Sequence, residues 1–253
     1  ERAHGTDDFD GYWGIWDEPF LQYMGQTLNS TPQPFFASVF TLTSHHPFVV
    51  PDQYKEVLPA GKTKVHKGVA YTDLAIRHFM EAASKQPWYN NTIFVFVADH
   101  VSSETFAPKT LTPTGNSHII CLLYTPDGAL KGADTRVTQQ IDLMPTLLGL
   151  VGYDRPYFAF GRDVLRENDR PAMAVNRMGE NYQAITDSLV LFFDGHKTLS
   201  AYTRADTLQK HNIAVQTTPA LEQVERDLKA RLQQYYQHVE KSDYLVKEHN
   251  EKP

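Results

Sequence analysis

Apolar and polar positions follow two rhythms along this chain, and the rhythm changes near residue 155. Before that point, helix-period and strand-period segments take turns. Asp17–Leu28 reads as a short helix, with Asp17 as its candidate N-cap and Pro19 tolerated in its first turn. The breaker Thr31-Pro-Gln-Pro34 precedes a predicted strand over Phe35–Leu42. Val69–Ser84 carries Ala70, Leu74, Ile76, Phe79, Met80 and Ala83 at helical spacing, and Pro87 ends it. A second strand is predicted over Thr92–Ala98, and a third over His118–Thr125, running into the turn Pro126-Asp-Gly128. Val137–Leu150 reads as a helix in which Pro145 marks a kink or break. Such alternation predicts a parallel sheet covered by helices.

Beyond residue 155 the segments shorten. Ala172–Asn176, Gln183–Thr186, Leu189–Phe193 and Thr198–Tyr202 predict a small antiparallel sheet. Ala220–Val239, with Leu221, Val224, Leu228 and Leu232 in register, predicts an amphipathic helix with a solvated charged face. The expected division is therefore 1–165 for the larger α/β part and 166–253 for the appended sheet and helix.

Charge narrows the function classes. A net charge of -6 with scattered Lys and Arg argues against nucleic acid as a partner, since no basic stripe exists to neutralise phosphates. No apolar run is long enough to span a bilayer. The single cysteine, Cys121, excludes an internal disulfide and is expected to be a buried structural thiol within its strand.

Candidate chemistry gathers at strand ends. Asp99-His100 follows the apolar run Thr92–Ala98, and ligands of open α/β sheets sit beyond the carboxyl ends of such strands. A carboxylate and an imidazole there suit Mn²⁺, Zn²⁺ or Mg²⁺. His45 and His46 follow the Phe35–Leu42 segment; neighbouring side chains of an extended stretch point apart, so one of the two is expected to face the site. Glu104 is a candidate partner orienting His100, or a surface charge. His118 either reaches the metal or merely starts a strand. Lys64, His66 and Lys67 either help to bind an anionic head group or form a solvated loop.

Six ordered motifs carry a resemblance: Trp13-Gly-Ile-Trp-Asp-Glu18, Thr41-Leu-Thr-Ser-His-His-Pro-Phe48, Tyr71-Thr-Asp-Leu-Ala-Ile76, Phe94-Val-Phe-Val-Ala-Asp-His100, Arg136-Val-Thr-Gln-Gln-Ile-Asp-Leu-Met-Pro-Thr-Leu-Leu-Gly149 and Phe158-Ala-Phe-Gly-Arg-Asp163. Together they resemble the sulfatase branch of the alkaline-phosphatase superfamily, nearest to the lipoteichoic acid synthase and phosphoglycerol transferase group. The resemblance implies an α/β/α sandwich of the alkaline-phosphatase type with a mostly parallel sheet, followed here by the small antiparallel sheet and C-terminal helix. It implies a divalent metal, Mn²⁺ first, with Zn²⁺, Mg²⁺ or Ca²⁺ as alternatives. Asp99 and His100 match its metal-ligand pair, His45 its phosphate-contacting histidine, and His46 a neighbouring, structural position. Asp142 matches a packing element and is expected to be a cap.

The same resemblance implies a threonine nucleophile that forms a covalent intermediate, in a segment preceding Trp13. Thr6 is the one early threonine and does not suit that role. The chain is therefore expected to be the C-terminal portion of a catalytic domain, inactive alone. Its parent is expected to be anchored by N-terminal helices at the extracytoplasmic face of a bacterial inner membrane. The expected activity is phosphoglycerol transfer from a phosphatidylglycerol-like lipid, with an anionic lipid head group or glycan as partner. A true sulfatase, or a non-catalytic module binding anionic glycan or lipid, is the alternative.

Overall fold

A computed structural model describes residues 7–104, 106–166 and 171–246, so Thr6 lies outside the described residues. The chain divides into two compact units, one of Glu1–Leu111 with His118–Gly132 and the other of Thr112–Ser117 with Ala133–Pro253. Residues 133–165, grouped by sequence rhythm with the first part, thus belong to the second unit.

In the first unit, α1 (Asp17–Ser30) and α2 (Val65–Ala83) pack on each other and on β1 (Phe94–Val97), which pairs with β2 (Cys121–Tyr124). The buried face of α2 is Val65, Gly68, Tyr71, Ala75, Phe79 and Ala83, spaced three and four residues apart as one helix face requires. Phe79, Ala75 and Ala83 meet Leu21 and Leu28 of α1 and Phe94 of β1, with Trp88 closing the cluster. Burying each large side chain contributes about 1.5–3 kcal/mol.

Three expectations for this unit change. First, β1 and β2 run antiparallel where the alternation predicts parallel strands. Among the described residues their connection holds only the 3-10 turns Pro108–Leu111 and Gly115–Ser117, and without a crossover helix the neighbour returns in the opposite sense. Second, the predicted strand Phe35–Leu42 forms no strand and lies in no ladder. Phe35 and Val39 turn inward onto the core, while Phe36, Ala37, Ser38 and Phe40 are exposed, and no neighbouring strand pairs with the segment. Third, Cys121 is exposed rather than buried, because β2 has few contacts beyond β1. Its sulfur is still partly covered, which pushes the thiol pKa up and away from reactivity.

The second unit is a four-stranded antiparallel meander in the order β3-β4-β5-β6, formed by Ala174–Met178, Asn181–Ile185, Leu189–Phe193 and Thr198–Thr203. Leu191, Phe193 and Ala201 project from one face and are sealed by Leu221, Val224 and Leu228 of α4 (Pro219–Lys241). Thr218 caps α4 by accepting from Leu221 N–H, and Pro219 fits its first turn. The predicted helix at 137–150 becomes a 3-10 turn, Gln140–Asp142, followed by α3 (Leu143–Leu150). Pro145 therefore sits in the first turn of α3, where its missing N–H costs nothing. Asp142 is the expected cap: its carboxylate accepts from Gln139 N–H at 3.0 Å and from Arg162 N–H at 2.8 Å.

Candidate active site

β1 delivers Asp99 and His100 just past its last paired residue, Val97, and both are exposed. His100 N–H donates to Asp99 Oδ1 at 2.8 Å, and His100 Nδ1 lies 2.7 Å from the carbonyl of Val101. A carbonyl only accepts, so Nδ1 carries the ring proton. In the neutral ring, Nε2 then presents its lone pair, 3.3 Å from Asp99 Oδ2. Two acceptors face each other, an arrangement that a cation or a proton relieves. A backbone carbonyl fixing the far nitrogen is the usual support of a metal-binding histidine.

The donor chemistry therefore fits a divalent cation, but as part of a cage. Zinc takes four ligands and calcium six to eight. Among the described residues no group of three His, Cys, Asp or Glu side chains forms. Ala98 N–H donates to Ile120 O at 3.2 Å, so the 98–100 and 118–120 segments leave the ribbon side by side. His118 is exposed beside that exit and completes no cluster. Glu104 serves elsewhere: Oε2 accepts from Val65 N–H at 3.1 Å and caps α2, while Val101 orients His100.

His45 stands on a loop braced from three sides. Its Nδ1 lies 3.0 Å from the carbonyl of His46, which again places the proton on Nδ1 and leaves Nε2 facing outward. Trp13 donates from Nε1 to that same carbonyl at 2.6 Å, and its ring lies 4.2 Å from the imidazole of His45, centroid to centroid. Trp13 is in turn held by Asp10, whose Oδ1 accepts from the N–H groups of Tyr12, Trp13 and Gly14 at 2.7, 2.8 and 3.1 Å. His46 contributes its backbone carbonyl; its ring is exposed and packs edge-on against Phe48, 5.7 Å away.

The third brace is Asp17, fully buried. It is no N-cap, for that position belongs to Trp16. Its Oδ1 accepts from Leu42 N–H at 2.9 Å and Thr43 N–H at 3.0 Å, and its Oδ2 from the Thr72 hydroxyl at 2.6 Å. One carboxylate thus ties α1, α2 and the His45 loop together. Beside it, Glu18 accepts from Tyr54 Oη at 2.7 Å and pairs with His78 Nδ1 at 2.7 Å. The acceptor bond to Glu18, then burial, holds the Tyr54 phenol pKa above its ordinary value; burial does the same for Tyr71.

Asp10, Trp13 and Asp17 are the supporting residues that the sequence reading missed. Asp17 lies twenty-five residues from Leu42, whose N–H donates to it, and no local spacing encodes that contact.

The family model described as Sulfatase matches residues 2–153. A lipoteichoic acid synthase-like protein, YvgJ of Bacillus subtilis (strain 168), is 29% identical over 205 residues, covering 71% of this chain and 33% of that protein. An arylsulfatase of Clostridium perfringens (strain 13 / Type A) is 28% identical over 125 residues, 46% of this chain and 26% of that protein. The chain spans about a third of the length of the curated relatives it matches, or less. Among solved structures, a protein of the alkaline phosphatase superfamily from Vibrio parahaemolyticus superposes with a TM-score of 0.76 at 26% identity, over 94% of this chain and 58% of that one. That neighbour carries the α/β fold class expected from the sequence.

Proposed function

The chain belongs to the sulfatase family, and from that premise we propose that it carries part of a divalent-cation-dependent site for phosphoglycerol transfer from a phosphatidylglycerol-like lipid. The observation that carries the reading is the facing pair of acceptors, Asp99 Oδ2 and His100 Nε2 at 3.3 Å. Asp99 and His100 would supply two ligands of the cation. When bound, the cation supplies positive charge against the phosphoryl oxygens and the attacking hydroxyl. Mn²⁺ is the first choice.

His45 is read as acting with them through Nε2, since Nδ1 is engaged with the His46 carbonyl. As imidazolium, His45 donates Nε2–H to a phosphoryl oxygen, or passes that proton to the leaving glycerol alkoxide as its P–O bond breaks. The attacking hydroxyl is read as a threonine of a preceding segment. Such a site belongs outside the cytoplasmic membrane, where the lipid donor is met. No helix among the described residues is long and apolar enough to cross a membrane.

Identity to lipoteichoic acid synthase-like sequence over 71% of the chain favours phosphate over sulfate as the transferred group; the arylsulfatase match, over 46%, supports the second reading, sulfate ester hydrolysis. The test is an assay of the full-length gene product with Mn²⁺ on a phosphatidylglycerol analogue and on an aryl sulfate, beside Asp99→Ala. Lipid head-group release that disappears in the variant supports the transferase reading. Sulfate release alone moves the protein to the hydrolases, and head-group release unaffected by Asp99→Ala overturns the role of Asp99.

A further inference from the structure

The apolar stripe of α4 runs on past the sheet it covers. Leu221, Val224, Leu228, Leu232, Tyr235 and Val239 recur every three or four residues and so share one helix face. Leu221, Val224 and Leu228 are buried against the meander, and Leu232 is half-buried at its margin. Tyr235 and Val239 continue the stripe, yet they are 47% and 43% exposed. The last turns of the helix thus repeat the core-facing pattern beyond the core itself.

Aromatic side chains from the same unit widen that surface. Phe160 lies 5.2 Å from the Tyr235 ring, and Phe158 lies 4.7 Å from the imidazole of His238, centroid to centroid. Past the helix the chain doubles back, His238 Nδ1 meeting the Asp243 carbonyl at 2.6 Å, and Tyr244 comes to rest 6.0 Å from Phe158. Tyr236 stacks edge-on against Tyr235, and its hydroxyl bonds that of Tyr182 on β4 at 2.6 Å. Tyr153 and Tyr157 pair edge to face at 6.1 Å. These two, with Tyr236 and Tyr244, are exposed to much the same degree as Tyr235. Each ring is held by another ring, so little side-chain freedom remains to be lost when the face is covered.

Area, charge and hydrogen-bonding chemistry decide what covers it. An aromatic side chain covers roughly 150–250 Å² when buried, so the exposed parts of the five tyrosines, with Val239 and Leu245, come to roughly 600 Å². Two such faces together reach the roughly 1,200 Å² at which stable protein interfaces begin. From Leu232 to Val239, α4 has no Lys, Arg, Asp or Glu. Around the face, charges alternate in sign, Asp154 with Arg155, and Glu240 and Asp243 with Lys241. It therefore has no excess of cations to draw it to an anionic bilayer, whereas few charges and many tyrosines are the composition of protein interface cores. A phenol hydroxyl both donates and accepts, so a face of tyrosines complements a second copy of itself.

We propose that this face joins two copies of the chain about a twofold axis, the C-terminal half of α4 in one protomer lying against that of its partner. The dimer uses none of the groups of the candidate active site, so it stands or falls independently of the phosphoryl-transfer reading.

The experiment is sedimentation velocity of the 253-residue chain, from about 1 to about 200 µM, a range that brackets weak protein–protein affinities. A reversible monomer–dimer equilibrium is expected, half complete at roughly 10–100 µM, as suits the lower end of interface sizes. Tyr235→Arg removes a ring from each side and sets like charges across the axis, and should raise the dimer Kd at least about tenfold. Tyr157→Arg, at an exposed position outside the core, is expected to do the same and keeps the test valid if Tyr235→Arg disturbs the helix. Leu122→Arg, on the exposed ribbon of the first unit, should leave association unchanged. Raising salt should preserve or tighten the dimer, since it screens the repulsion between two chains of net charge -6. A chain still monomeric at about 200 µM overturns the proposal. Association that survives both tyrosine variants and is lost in Leu122→Arg overturns it too, moving the contact to the first unit. Capture of a monomer by phosphatidylglycerol vesicles, lost in the tyrosine variants, assigns the face to a bilayer and overturns the second copy.

Discussion

The two units solve the same problem, covering an apolar sheet, to different degrees. In the second, α4 seals the meander, and Leu191, Phe193 and Leu228 are essentially inaccessible. In the first, β1 meets α1 and α2 through Phe94 and Phe96, while Ile120, Leu122 and Phe36 remain 70%, 57% and 88% exposed. The closed unit holds structural residues. The open unit holds Asp99, His100 and His45, carried on loops, with the His45 loop braced by buried carboxylates. Precision in the open unit comes from hydrogen bonds to Asp10 and Asp17, and in the closed unit from packing.

Substitutions should separate those two sources of order. The largest effect is expected from Leu228→Ala, which empties a fully buried position and should cost about 3 kcal/mol in denaturant unfolding. Leu122→Ala, on the open ribbon, should stay within about 0.5 kcal/mol; a loss as large as that of Leu228→Ala would mean the ribbon is as closed as the meander. Asp17→Ala removes the shared acceptor of Leu42 N–H, Thr43 N–H and the Thr72 hydroxyl, and should cost about 2–3 kcal/mol. Amide exchange at 42–46 should rise with it; unchanged protection there would remove Asp17 as the brace of His45.

Gly68→Ala should cost about 1 kcal/mol and shift the resonances of Ser44 and His45, because the added methyl presses on Ser44 Cα. A shift confined to α2 would show that the helix absorbs the strain. The smallest effect belongs to the closed unit. Lys229, at 2.6 Å, and then the Thr198 hydroxyl, at 2.6 Å, hold the Glu225 carboxyl below the usual range. Its folded pKa is lowered, so its stabilisation is present above the ordinary carboxylate pKa and is lost as pH falls through the folded value. Glu225→Gln should therefore lose about 0.5 kcal/mol at neutral pH, a gap that closes in acid. A gap independent of pH would assign the effect to packing.

The closed unit was the more legible. Leu189–Phe193 stands where its run of apolar residues placed it, and β3, β4, β6 and α4 shift by a few residues at most, because short-range alternation and helical period set them. The open unit was legible in its elements but not in its pairings. Phe35–Leu42 is rich in apolar residues yet finds no strand partner, and the antiparallel sense of β1 and β2 depends on a connection whose path no local pattern encodes. In the candidate site the same limit applies. Asp99, His100 and His45 stood out because rare chemistry fell at strand-like ends. Asp10, Trp13 and Asp17 did not, since their roles are contacts to backbone groups that any residue could present.

The central claim, that Asp99 and His100 act together as cation ligands, is open to one direct measurement on this chain. Mn²⁺ broadens nuclear resonances near its binding site, so substoichiometric Mn²⁺ should selectively broaden the ring resonances of His100 in the wild-type chain. Asp99→Asn, which keeps the shape and removes the charge, should need at least about tenfold more Mn²⁺ for the same effect. Ring resonances of His100 that ignore Mn²⁺, or that broaden equally in the Asp99→Asn chain, would contradict the account.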